Sequence, residues 1–507
     1  MIRQLAIQNF KAFSSKQVVP CSDITLIFGA NSAGKSSILQ TLLALHQTLT
    51  RTEAAELDIL LSTDLVDLGT FANVIHDHKT DENFEIAFLI EGKRDGNSGV
   101  GFEFTSGNKK GTFAKLASIH GYYGDLFVPT FTLAKKAVPR NRFPGKVNVF
   151  GVSTINASHA VWRERFLLTQ RYWEDHKVVF DATINRAVTR ATYETIVNFQ
   201  KQVHEYDLDT YIAHVNELNT GEAVRLFRFL AQSPTMIGDR SALDSALNRA
   251  LRGISESPAP RQVLRELYPD ALRIAFSSCS SVYNHIYNLA YIGPLRERPN
   301  RYYVTQPAPV RTVGPTGRLV VDMLNNSHQL TKMTNDFLEK LGVNYELRLQ
   351  RFSSKGTGTG EVVASLRLVD KARNVTLGMP DVGFGVGQVL PVIVQSLLSK
   401  DQVIAIEQPE LHLHPKMQAE LAEVFVESAV GRGNQLFIET HSEHILLRLL
   451  KLVRLGRLDP RRLSVVFVDT GTEGAVVRPL RVDNQGQFVD VWPGGFFEED
   501  YEEMFDS

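Results

Sequence analysis

Two stretches of the chain are β-branched and apolar over only four or five residues, "ITLIF" from Ile24, in which Thr25 is the one polar position, and "VIAI" from Val403. A third, "QLFIE" from Gln435, is nearly so. Runs this short and uniform read as parallel strands buried on both faces, not as amphipathic helices. Helical spacing follows two of them. Ile38, Leu39, Leu42, Leu43 and Leu45 mark one apolar side, and Ile445, Leu446, Leu449, Leu450 and Val453 mark another. "DVGFGVGQVLPVIVQSLLS" is a glycine-rich turn that runs into a further helix. "IRQLAIQNFKAF" reads as an opening strand. "ENFEIAFLIEG" and "SGVGFEFTSG" alternate apolar and polar positions and predict a β-hairpin. Residues from about 156 to 285 are polar with helical patterning, as in "ATYETIVNFQKQVHEYDLDTYIAHVNELN". Sustained heptads are missing there, so the pattern predicts a compact helical insertion and no long coiled coil.

A chain of 507 residues exceeds one ordinary core. Lys plus Arg number 55 against 56 Asp plus Glu, so no global basic excess calls for nucleic acid. Cys21 and Cys279, the two cysteines, cannot build a disulfide framework and fit a reducing cytosol. No run approaches the roughly 18 apolar residues of a membrane span. The opening "MIRQLAIQNF" has no signal-peptide core. These observations predict a cytoplasmic protein.

The chemistry begins directly after "ITLIF". Gly29 to Ser36 form GxxxxGKS, in the strand, loop and helix context that a phosphate loop requires. Glycines at 29 and 34 let main-chain N–H groups around Asn31, Ser32, Ala33 and Ser37 curl about a phosphate. Lys35 reaches the β- and γ-phosphates of ATP, and the Ser36 hydroxyl is a Mg²⁺ ligand. Such a site needs an acid at the carboxyl end of a neighbouring strand, and "VIAIE" supplies Glu407. His441, after "QLFIET", stands at another strand end where it could contact a γ-phosphate. Gly385 to Gln388, with Gly387 between, form a second anion-binding helix start. Lys11 is a further cation near the nucleotide. A zinc site from His412, His414, His441, His444 and Glu443 is the competing reading of the histidines.

In this order the motifs resemble the ABC-type ATPase heads of the structural-maintenance-of-chromosomes and overcoming-lysogenization-defect group. More narrowly, "IEQPELHLHP" and "ETHS" are similar to AAA-type ATPases of bacterial antiphage systems such as Septu, PARIS and retrons. The ending "FVDVWPGGFFEEDYEEMF" resembles a short C-terminal domain found beside many of them. The resemblance implies an α/β fold: a P-loop NTPase, ABC-type head with an antiparallel β lobe and a helical insertion. Residues 1–110 would be the first part of the head, 111–285 a mainly helical insertion, 286–460 the second part, and 461–507 the C-terminal domain. It also implies ATP and Mg²⁺ as cofactors, with Ser36 and Glu407 on the metal. Two subunits would share two ATP molecules, as a homodimer or a larger oligomer. Gly385 to Gln388 would be the signature supplied in trans, "LHLHP" a subunit-facing turn leading to a helix, and His441 the switch histidine. A separate effector, a nuclease, would be the partner; nucleic-acid contact stays open.

Two positions depart from that pattern. Gln408 stands where the catalytic Glu is expected, with Glu410 two residues on, and Gly387 stands where Ser often precedes the Gln. A glutamine cannot accept a proton but can orient water, which predicts slow hydrolysis and a switch. A DNA-clamping maintenance ATPase and a non-hydrolysing ATP-binding scaffold are the alternatives. "DLVDLGTFANVI", Asp64 to Ile75, lies where such heads carry a metal-linked Gln, but holds none. Arg296, Arg298 and Arg301 in "YIGPLRERPNRYY" either bind phosphates and bases or pair with acids. "KLVRLGRLDPRRL" is a weak basic patch or a solvated helix end. "RFSSKGTGTGE" reads as a hairpin tip, and "EEDYEEMFDS" as an acidic tail.

Overall fold

A computed structural model describes residues 1–50, 58–91, 97–107, 113–123, 129–136, 149–155, 278, 281–305, 310–352, 362–382 and 384–493. The chain divides into two compact units. One comprises Met1–Phe84, Ser106–Ala114 and Tyr283–Ser507; the other comprises Glu85–Thr105 and Lys115–Val282. The strands of the amino-terminal part are β1 (Ile2–Gln8), β2 (Gln17–Pro20), β3 (Ile24–Gly29), β4 (Asp58–Leu60), β5 (Phe84–Ile90), β6 (Ser98–Ser106), β7 (Phe113–Tyr123), β8 (Pro129–Lys136) and β9 (Val149–Ile155). Those of the carboxyl-terminal part are β10 (Ala290–Ile292), β11 (Tyr303–Thr305), β12 (Tyr345–Phe352), β13 (Val362–Asp370), β14 (Val375–Gly378), β15 (Val403–Glu407), β16 (Gln435–Glu439), β17 (Leu463–Gly471) and β18 (Gly474–Leu480).

The first unit is built on a sheet ordered β10-β15-β16-β3-β17-β18, in which only the β17–β18 pair is antiparallel. The three apolar runs of the sequence are its central strands, buried on both faces as their uniform patterning requires. Parallel strands bring their carboxyl ends to one edge. Glu407 pairs in register with Glu439, and Glu439 with Ile27, so both acids end beside the loop that follows β3.

Helix α1 (Lys35–Thr50) buries Ile38, Leu39, Leu42 and Leu43. Leu45, expected on that side, is only half-buried, while Gln47 is buried. Gln47 keeps its amide satisfied there by donating to the Leu60 carbonyl at 2.7 Å. After the short helix α2 (Phe71–Val74) come α3 (Val320–Asn326), α4 (His328–Lys340) and α5 (Phe384–Leu398). Helix α5 starts in the glycine-rich turn, as its sequence predicts. Next, α6 (Pro415–Val426) carries Pro at its first position and His414 as N-cap, whose Nδ1 accepts from Lys416 N at 3.2 Å. Helix α7 (Glu443–Arg454) buries all five expected apolar residues and is capped by Ser442. A smaller antiparallel sheet is ordered β11-β13-β12, with β14 on β13. The Phe352–Val363 pairing closes the predicted hairpin, whose tip lies outside the described residues.

The expected domain bounds meet strands at two places. Residues 461–507 are expected to form a separate C-terminal domain, yet β17 pairs directly with β3, so its described part belongs to the head's own sheet. Trp492 packs edge-on against Phe28 at 5.5 Å, beside the phosphate-loop strand. Residues 111–285 are expected to be mainly helical; the part before residue 156 carries the strands β7, β8 and β9. In the second unit the strand order is β5-β6-β7-β8-β9, which includes the predicted β5–β6 hairpin. Along β7, Ala114, Leu116 and Ser118 are buried and Lys115 and Ala117 are not, an alternation that suits a strand. The helical insertion over 156–277 and the acidic tail lie outside the described residues. Three of the five cations in the weak basic patch are paired with acids: Arg457 with Glu423, Arg461 with Asp459 and Arg462 with Asp23. Among the described residues no helix is long and apolar enough to cross a membrane.

Candidate functional site

The turn after β3 closes around a lysine. Gly29 has φ +145°, and a Cβ there would sit 2.2 Å from the Val468 carbonyl oxygen. Gly34 has φ +106°, with Ala12 Cβ 2.8 Å from where its own would be. Neither position admits a side chain, and the loop is held tight. Lys35 is buried and donates to the Gly29 and Ala30 carbonyls at 2.9 and 2.7 Å. Burial lowers its pKa, and the charge of Glu439 offsets part of that. An open cavity of about 450 Å³ lies over the loop. Of the residues singled out in the sequence, Lys11, Asn31, Ser32, Gly34, Lys35, Ser36, Ser37, Gln408 and His441 line it. Gly29 and Ala33 form the buried part of the loop. Glu407, Glu410, Gly385, Gly387 and Gln388 are not in its wall.

The acid that reaches Ser36 is Glu439, which the sequence reading missed. The Ser36 hydroxyl donates to Glu439 Oε1 at 3.1 Å. Glu439 Oε2 is buried with no hydrogen-bond partner. Burial raises this carboxyl's pKa; Ser36 and Lys35 pull it back. An orphaned carboxylate oxygen, a hydroxyl and an adjacent phosphate cradle are an all-oxygen set that fits Mg²⁺. Glu407, expected to fill this role, instead accepts from the Tyr291 hydroxyl at 2.9 Å. Burial, with the Glu439 charge behind it, pushes its pKa up to about 7. The difference follows from strand order, because β16 adjoins β3 and β15 lies one strand further out. The same strand-end reasoning that picks Glu407 from "VIAIE" also picks Glu439 from "QLFIE", but it does not say which of the two strands adjoins β3.

The family described as AAA ATPase domain matches residues 1–211 and 320–446, about two thirds of the chain. The chain belongs to the AAA ATPase domain family. It is an ATP-binding ATPase. No curated protein matches it. Among solved structures it is similar to the SmcHead bound to the C-winged helix domain of ScpA, at 10% identity over 95% of this chain and 98% of that one, with TM-score 0.40. The Pyrococcus furiosus Smc head with an extended coiled coil, bound to the C-terminal domain of ScpA, shows 11% identity over 95% and 96%, with TM-score 0.36. The SMC head domain from Thermotoga maritima shows 9% over 95% and 99%, with TM-score 0.36. Likenesses this distant add nothing to the fold that the strand order itself displays.

The rest of this ATPase's site is set by tight turns. Gln408 has φ +44°, a left-handed conformation costing a non-glycine residue about 1–2 kcal/mol. Its N–H donates to the Glu439 carbonyl at 2.7 Å. Glu410 is committed elsewhere: its two oxygens accept from Thr440 Oγ1 at 2.8 Å and His441 N at 2.7 Å. It therefore ties down the loop that follows β16, and both of its oxygens are engaged there instead of being free for the water-positioning role expected of it. Burial and the Lys35 charge lower the His441 pKa, so its imidazole is neutral near pH 7. Lys11 is also left-handed, at φ +50°, and its N–H donates to the Val74 carbonyl at 2.6 Å. The Asp64-to-Ile75 loop thus fixes Lys11, and Asp67 partly offsets the pKa lowering that burial causes there.

At the glycine-rich turn that starts α5, a Cβ on Gly387 would sit 2.6 Å from Pro299 Cγ, and one on Gly385 3.0 Å from the His412 carbonyl oxygen. A Ser at 387 would require Pro299 to move. Gln388 is buried, and its Nε2 has no hydrogen-bond partner. No group of three or more His, Cys, Asp or Glu among the described residues has metal-holding geometry, and His414 serves as a helix cap. Arg301 pairs with Asp381 at 2.6 Å, as an acid-pairing reading predicts. Arg296 does neither of the things expected of it. It is buried and donates to the carbonyls of Glu407 and Gln408, each at 2.8 Å.

Proposed function

We propose that this ATPase is a slow, cytoplasmic switch that works as a homodimer and controls a separate effector, a nuclease, in antiphage defence. The observation that carries the nucleotide part is the Ser36–Glu439 contact, with a bare carboxylate oxygen beside the Lys35 cradle. Lys35 and the loop amides would hold the phosphates, with Lys11, Asn31, Ser32 and Ser37 around them. Ser36 and Glu439 would hold Mg²⁺, with Glu407 behind them in the same acidic cluster. The ion would neutralise phosphate charge. Gln408 projects from a strained turn at the cavity wall and would orient the attacking water. It has no basicity to take the proton, hence slow turnover. Neutral His441 would donate a hydrogen bond to the terminal phosphate.

Dimerisation is supported by the signature turn, which stands outside the cavity of its own phosphate loop and so would serve a partner's. The defence role and the nuclease rest on the motif resemblance. A DNA-clamping role finds little support, because three arginines of the basic patch are paired with acids. Mass measurement of the purified protein is expected to show Mg²⁺-ATP doubling the particle mass. A mass unchanged from zero to millimolar ATP would contradict the shared-site reading.

A further inference from the structure

Arg296 is a second buried cation beside the site, after Lys35, and does not line the nucleotide cavity. It lies on the segment that leaves β10. That segment is pinned at both ends: Gly293 N donates to the Pro315 carbonyl at 2.8 Å, and Glu297 N to the Thr316 carbonyl at 2.9 Å. Arg296 is 6% exposed. It donates through one nitrogen to Gln408 O and through the other to Glu407 O, both at 2.8 Å. A planar fork that spans two consecutive carbonyls fixes the peptide between them. That peptide leads into the left-handed Gln408, at φ +44°. The N–H side of the same residue is held by the Glu439 carbonyl at 2.7 Å. Gln408 is thus gripped from both sides, and its side chain is left to line the nucleotide cavity. A guanidinium used only for charge pairing would place its donors on carboxylates. Here the two short bonds go to main-chain oxygens of the hydrolytic turn.

We infer that Arg296 is a positioning residue for ATP hydrolysis, which holds Gln408 in the backbone conformation that aims its amide at the attacking water. This rests on the water-orienting reading of Gln408. A lysine cannot fork onto two carbonyls, so Arg296→Lys keeps the charge and loses the geometry. The test is a double-mutant cycle with Gln408→Ala, read by single-turnover ATP hydrolysis and by ATP affinity.

Arg296→Lys is expected to lower the hydrolysis rate by about tenfold, with the ATP Kd within about twofold of wild type. In the Gln408→Ala background the same substitution should change the rate by less than about twofold. Equal losses in both backgrounds would overturn the inference while leaving the Gln408 reading intact. So would a wild-type rate in Arg296→Lys, or a loss confined to ATP affinity. A wild-type rate in Gln408→Ala would sink the Gln408 reading and this inference with it. If Arg296→Lys does not bind ATP, Arg296→Gln, which can serve one carbonyl, takes its place in the cycle. Failure of both to bind ATP would assign Arg296 to stability alone and overturn the proposal.

Discussion

Lys35→Ala is expected to weaken ATP binding by at least about a hundredfold, or about 3 kcal/mol. Two losses combine. The ammonium that faces the phosphates is removed, and the Gly29 and Ala30 carbonyls it satisfies at 2.9 and 2.7 Å are left bare toward an anion. The fold should survive, since the loop is also fixed by Gly29 against Val468 and Gly34 against Ala12. Equilibrium binding of a fluorescent ATP analogue measures the effect directly. Unchanged affinity would remove the loop from the nucleotide site.

Glu439→Gln should abolish most of the tightening of ATP binding by Mg²⁺, by roughly 10- to 100-fold. Glutamine keeps an acceptor for the Ser36 hydroxyl, so the substitution isolates the charge. Glu407→Gln, which keeps an acceptor for Tyr291, should change the Mg²⁺ effect by less than about threefold. Titrating ATP affinity against Mg²⁺ in the two variants separates the acids. The reverse pattern would hand the ion to Glu407 and leave Glu439 as a loop contact.

The parallel sheet was legible because strands buried on both faces cannot alternate. "ITLIF" and "VIAI" carry that constraint on their surface. The phosphate loop was legible because glycine is required where φ is positive or a backbone oxygen leaves no room, as Gly29 shows. The division of labour among the acids was not legible, because it depends on which strand lies next to β3. That order is a property of the assembled sheet, and no local pattern states it. Glu410 was misjudged for a related reason: its partners, Thr440 and the His441 N–H, arrive from a segment about thirty residues away. The apparent defect at Gly387 had the same origin, since Pro299 is distant in sequence and touching in space. Arg296 stands in an arginine-rich motif that is plain in the sequence, but its acceptors are main-chain carbonyls, which every sequence offers everywhere.

The central claim is that a nucleotide site of ordinary design is slowed by a glutamine in the base's position. Phosphate release by Gln408→Glu at saturating Mg²⁺-ATP tests it most directly. A carboxylate at the cavity wall can accept the water's proton, so the account predicts a rate at least about tenfold above wild type. A rate equal to or below wild type would contradict the account.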